Sequence, residues 1–66
     1  MSERFVSMDD MIGCAKRELL MRKRVYPRWV ADDRMPQEKA DKEIAFMAAI
    51  LEHLLKAAGR REENLL

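Results

Sequence analysis

Ala40-Asp41-Lys42-Glu43-Ile44-Ala45-Phe46-Met47-Ala48-Ala49-Ile50-Leu51-Glu52-His53-Leu54-Leu55-Lys56-Ala57-Ala58 is the stretch whose reading decides the fold. Within it Ala40, Ile44, Met47, Leu51, Leu54 and Ala58 recur at steps of three and four residues, the spacing that gathers apolar side chains on one face of an α-helix. Just ahead, Pro36 suits the first helical position, where the missing amide would have had no partner, and Glu38 complements the positive end of the helix dipole. Gly59 suits a left-handed cap at the other end. The spacing therefore predicts a helix over about 36–59.

Working back toward the N-terminus, Ser7 followed by Asp10 reads as a shortened capping box, so another helix starts near Met8. Its inward positions are Met8, Ile12, Ala15, Leu19, Tyr26 and Trp29, interrupted by Arg22. Pro27 removes the amide that would bond to Lys23, which predicts a kink or break before the helix gives out near residue 31. Both glycines and both prolines are expected to punctuate helices, and the absence of threonine and of alternating apolar residues argues against strands. The expectation is an all-α chain. Two helices, about 8–31 and 36–59, joined by a connector over about 32–35, make an antiparallel hairpin as a single domain, with flexible tails at 1–6 and 60–66. A turn centred near Arg34 sets Trp29 level with Ala40, Leu19 with Leu51 and Ala15 with Leu54.

Sixty-six residues are enough for one small core, and a core of that size supplies only about 3–5 kcal/mol. One cysteine, Cys14, and one histidine, His53, exclude a disulfide and argue against zinc. Association is the remaining common way to add stability. Around Ile44–Leu51 the second helix is apolar almost all round, with Ala45, Phe46, Ala48, Ala49 and Ile50 beyond the reach of one partner helix. This predicts a homodimer that forms a four-helix bundle; the alternative is a monomer with tolerated surface alanines. The run Ile44–Leu51 is far short of the roughly 20 residues a membrane span needs, and no secretory signal is evident, so a soluble, reducing, cytoplasmic setting is expected.

The net charge of +1 carries no global polyelectrolyte signal, but Lys16–Arg28 holds six basic residues against the single acid Glu18. Arg17, Arg24 and Arg28 fall on one stripe of the helical wheel, a candidate nucleic-acid strip. The plainer alternative is a solvated face balanced by Glu38, Glu43 or Glu52 on the neighbouring helix. Arg22 sits at the edge of the apolar face, where an ion pair with Glu43 would fix the register; gripping a partner's carboxylate is its other reading. Tyr26-Pro27-Arg28-Trp29-Val30 combines the residue types that dominate interface hot spots, so Arg22, Tyr26, Arg28 and Trp29 are the candidate partner-binding residues. Tyr26 and Trp29 also serve as caps on the end of the hairpin core, while Leu20, Met21 and Val25 point away from the seam. Catalysis is not expected. Ser2 and Ser7 lie near the terminus, Cys14 and His53 both face away from the seam, and Asp32 with Asp33 or Glu62 with Glu63 read as turn and terminal charges. No catalytic residue, metal ligand or cofactor is assigned.

Arg22-Lys23-Arg24-Val25-Tyr26-Pro27-Arg28-Trp29-Val30, then Arg34-Met35, Lys39-Ala40 and Glu43-Ile44-Ala45 resemble a group of small helical proteins encoded by bacteriophages and prophages of Gram-negative bacteria, marked by a YPRWV-type motif and without an established biochemical role. The match covers roughly Cys14 to Leu54. This chain departs from the group in having Asp33 where glycine is frequent and Pro36 where a Ser or Thr cap is frequent. The resemblance implies a setting in the host cytoplasm and a protein that acts by binding a host or phage protein. The expected function is a non-enzymatic interaction module. The alternatives are a nucleic-acid-binding accessory protein and a structural subunit of a phage assembly.

Overall fold

The computed structural model describes residues 6–59, and these form two α-helices, α1 (Met8–Ala31) and α2 (Gln37–Ala57), with no strand among the described residues. The two pack on each other as a hairpin. No helix among the described residues is long and apolar enough to cross a membrane. Of the expected tails at 1–6 and 60–66, residues 1–5 and 60–66, with Ser2, Glu62 and Glu63, lie outside the described residues.

α1 begins as its sequence dictates. The Ser7 hydroxyl accepts from the Asp10 amide at 3.0 Å, and the Asp10 carboxylate accepts from the Ser7 amide at 3.3 Å, a reciprocal capping box that occupies two otherwise free donors. The helix then runs without interruption through Pro27 to Ala31, so the break that proline predicts is absent. Pro27 is exposed, and its ring is carried inside α1 although it leaves the Lys23 carbonyl without its i+4 amide partner. Gly13, too, is interior to α1 and punctuates nothing.

The connector is a tight helix stop. Asp32 caps α1, its amide donating to the Arg28 carbonyl; Asp33, at φ 60°, donates to Val30; and the Arg34 amide donates to the Trp29 carbonyl at 2.7 Å. This is the Schellman arrangement, with aspartate in the left-handed position that glycine usually fills. Pro36 then stands one position earlier than expected, as the extended residue (φ −67°, ψ 145°) that precedes α2, and no side chain caps that end. α2 stops at Ala58 and Gly59, whose φ of 72° supplies the left-handed cap.

Ile12, Ala15 and Leu19 from α1 and Met47, Leu51 and Leu55 from α2 form the core cluster, while Ala40 is also buried near the turn. Leu54, placed at the seam by the heptad reading, is only half-buried and Leu55 is buried instead. An unsupercoiled helix of 3.6 residues per turn drifts ahead of a seven-residue repeat, which carries the seam from Leu54 to Leu55. Tyr26 and Trp29 are half-buried and lie outside the cluster.

Asp33 pays for its left-handed backbone twice, in steric strain and in an acid placed at the negative end of α1. Asp33→Gly is expected to raise the unfolding free energy by about 0.5–1 kcal/mol in urea titration, and Asp33→Ala, whose side chain tolerates a positive φ less well than aspartate's, to lower it. Equal effects of the two substitutions would contradict the strained-cap account.

Candidate functional site

The residues singled out in α1 separate into two groups. Arg22, Tyr26 and Trp29 recur at four- and three-residue steps along one edge of the seam, and the structure joins them in a row. Arg22 Nε donates to Glu18 Oε2 at 2.9 Å, one turn earlier, and Arg22 Nη1 crosses to α2, donating to the Glu43 carbonyl at 2.7 Å with the Glu43 carboxylate at 3.6 Å. Its guanidinium carbon stands 6.0 Å from the centre of the Tyr26 ring. Tyr26 in turn stacks on Trp29 with centroids 5.5 Å apart and planes 25° from parallel, and Arg34 covers Trp29 at 5.8 Å. Arg34 is two positions beyond the cap and Trp29 three positions before it, the pair that in a Schellman stop normally makes an apolar contact.

The electrostatics of this row are those of a filled site. The Glu18 hydrogen bond holds the Arg22 guanidinium above its ordinary value; burial opposes this, and Tyr26 and the charges of Glu18 and Glu43 add to the rise. A raised folded-state value contributes stability at all pH below arginine's ordinary range and loses it only as pH rises through the folded value, so Arg22 is charged throughout neutral solution. With Nε and Nη1 both engaged and the side chain 19% exposed, Arg22 is a clamp between the helices. The pairing with Glu43 anticipated from sequence is present. The Glu18 partner was legible from its four-residue spacing ahead of Arg22; the Arg34 cover on Trp29 depends on the connector geometry and carries no spacing signal.

Arg28 does not join this row. It lies with Arg17 and Arg24 on the outer side of α1, all three exposed and without an ion pair among the described residues. The acids expected to balance them are committed elsewhere: Glu38 to Lys42 at 3.4 Å, Glu52 to Lys56 at 3.9 Å, and Glu43 to Arg22. Near the start of α2 an open depression of about 360 Å³ is lined by Pro36, Glu38, Lys39, Lys42, Glu43 and Phe46. Its charges are mixed and its floor includes Phe46, which is 55% exposed.

Larger apolar groups also stand in solvent. Leu20, Met21, Phe46 and Ile50 are exposed, and Val25 is half-buried. Cys14 is an exposed free thiol and His53 is exposed. Among the described residues no three His, Cys, Asp or Glu side chains are grouped as metal ligands would be, and no buried side-chain polar atom lacks a partner. No protein-family model, curated protein or solved structure matches the chain.

Arg22→Ala removes a donor to a backbone carbonyl and frees two carboxylates, and is expected to cost about 1–2 kcal/mol in urea unfolding. Arg24→Ala, on the exposed stripe, is expected to leave the unfolding midpoint nearly unchanged. Equal losses would show that the row does not join the helices.

Proposed function

We propose that the chain is a non-enzymatic, phage-encoded interaction module. It works as a homodimer, a four-helix bundle with each α1 bent at Pro27, and binds a host or phage protein in the host cytoplasm. The observation that carries this reading is the apolar surface left uncovered by the hairpin: Leu20, Met21, Phe46 and Ile50 are each more than a third exposed, while seven apolar side chains are buried among the described residues. Its target contacts are the outward edges of Tyr26 and Trp29 together with Arg28, and Arg22 supports them from behind. Rigid aromatics held in place by stacking are suited to this because little side-chain freedom is lost on binding.

Tagged chain incubated with lysate of phage-infected host cells is expected to retain one protein in stoichiometric amount after nuclease treatment. The Arg28→Ala, Trp29→Ala double variant is expected to lose it while circular dichroism shows the helices intact. Retention by that variant would remove the assigned surface.

A second reading, nucleic-acid binding, is favoured by one observation, the unpaired and exposed stripe Arg17, Arg24 and Arg28. It requires that affinity for duplex DNA or RNA fall steeply with added salt and that an Arg17→Ala, Arg24→Ala variant flatten that slope. Binding that is absent, or indifferent to salt, would exclude it.

A further inference from the structure

Arg17, Arg24 and Arg28 stand on the side of α1 turned away from the core residues Ile12, Ala15 and Leu19, within about 40° of one another around the helix axis. Along that axis Arg24 lies about 10 Å beyond Arg17, and Arg28 about 6 Å beyond Arg24. Leu20 sits among them, three residues after Arg17 and four before Arg24, and at 54% exposure it is the most exposed large apolar residue of α1. No acid among the described residues pairs with these three arginines, since Glu18 and Glu43 face Arg22, Glu38 faces Lys42 and Glu52 faces Lys56. Asp10, on the same side about two turns before Arg17, accepts from the Ser7 amide. Pro27 and Ala31, exposed beside the row, add no polar side chain to it.

We infer that this row docks an acidic α-helix of the target protein, laid along α1 with carboxylates opposite the arginines and an apolar side chain on Leu20. The inference rests on the interaction-module reading above and states the chemistry of its partner. Charge complementarity chooses the occupant. Three guanidinium groups without a counter-charge of their own lose water on docking, and a partner that supplies carboxylates offsets that loss where a neutral or basic one does not. A second copy fails this condition, because the row laid on itself sets arginine against arginine. The apolar centre separates a protein from a nucleic acid: a phosphate backbone covers arginines but offers nothing apolar to Leu20, whereas arginine mixed with apolar groups is the composition of protein–protein contact surfaces. The net charge of +1 also gives little long-range attraction for a polyanion. Shape specifies the helix. A row about 16 Å long, with its charges at steps of seven and four residues, is matched by a rod whose acids repeat at the same steps. Arg28 ends the row next to Trp29 in the chain, so the acidic helix and the aromatic edge engage the same target.

The test uses the full tagged chain with benzoylphenylalanine, a photo-reactive residue, in place of Leu20, irradiated in lysate of phage-infected host cells with and without nuclease. The cross-linked segment, sequenced by mass spectrometry, is expected to come from one protein in both lysates and to carry carboxylates at four- and seven-residue steps. In chains that keep Leu20, Arg17→Glu with Arg24→Glu is expected to lower capture of that protein at least tenfold while circular dichroism shows the helices intact, and Arg17→Lys with Arg24→Lys to retain most of it. A cross-link to a neutral or basic segment, to a second copy, or to nucleic acid in the untreated lysate would overturn the inference. Capture indifferent to the charge reversal would overturn it as well, and a protein still retained in that case would leave the interaction-module reading standing. Lysate from which no protein is retained would overturn both.

Discussion

Leu19 and Leu51, each 1% exposed, lie at the heart of the single seam that two helices can share, and the rest of the hairpin is arranged around keeping that seam closed. A hairpin has no third layer. Each helix therefore buries one narrow stripe and leaves the rest of its circumference to water or to another molecule. Small residues assist where the chain is crowded: Ala15 and Ala40 are almost fully buried, and their size lets the backbones approach.

The seam is secured toward its turn end by polar and aromatic groups. Arg22 reaches from α1 to a main-chain carbonyl of α2, an acceptor that a side-chain rotation cannot withdraw, and Glu18 fixes the direction of its reach. Tyr26, Trp29 and Arg34 continue from there to the connector, so the stop of α1 and the side-chain row on its surface are one unit. This division of labour explains why Arg22, tempting as a hand for a partner's carboxylate, is better placed as a fastening, and why Arg28, one position before Trp29 but turned outward, is the residue of the motif that is available to something else.

The capping box and the helix spans were legible because each depends on residues close in sequence. Pro27 does not end α1, since a missing amide removes one hydrogen bond of a helix whose remaining turns and packed face persist on both sides of it. Leu55 replaced Leu54 because a repeat of seven and a helix of 3.6 residues per turn diverge over four turns. Among the candidate site residues, the Arg22 pairing with Glu43 followed from the hairpin register. The separation of Arg28 from Arg22, Tyr26 and Trp29 was available from the wheel, but the motif's compactness in sequence concealed it. The cover that Arg34 places on Trp29 required the three-dimensional path of the connector.

What the hairpin leaves over is as informative as what it buries. Seven buried apolar residues among the described residues make a small core for fixing two helices, and Met21, Phe46 and Ile50 are surface that a further partner copy would remove from water. If folding and pairing are linked in this way, stability must depend on concentration. The most direct test is the urea unfolding midpoint measured by circular dichroism from about 1 to several hundred micromolar protein. A midpoint that climbs steadily with concentration is the predicted result. A midpoint that stays constant across that range would show that the hairpin stands alone and that its apolar face serves no second copy.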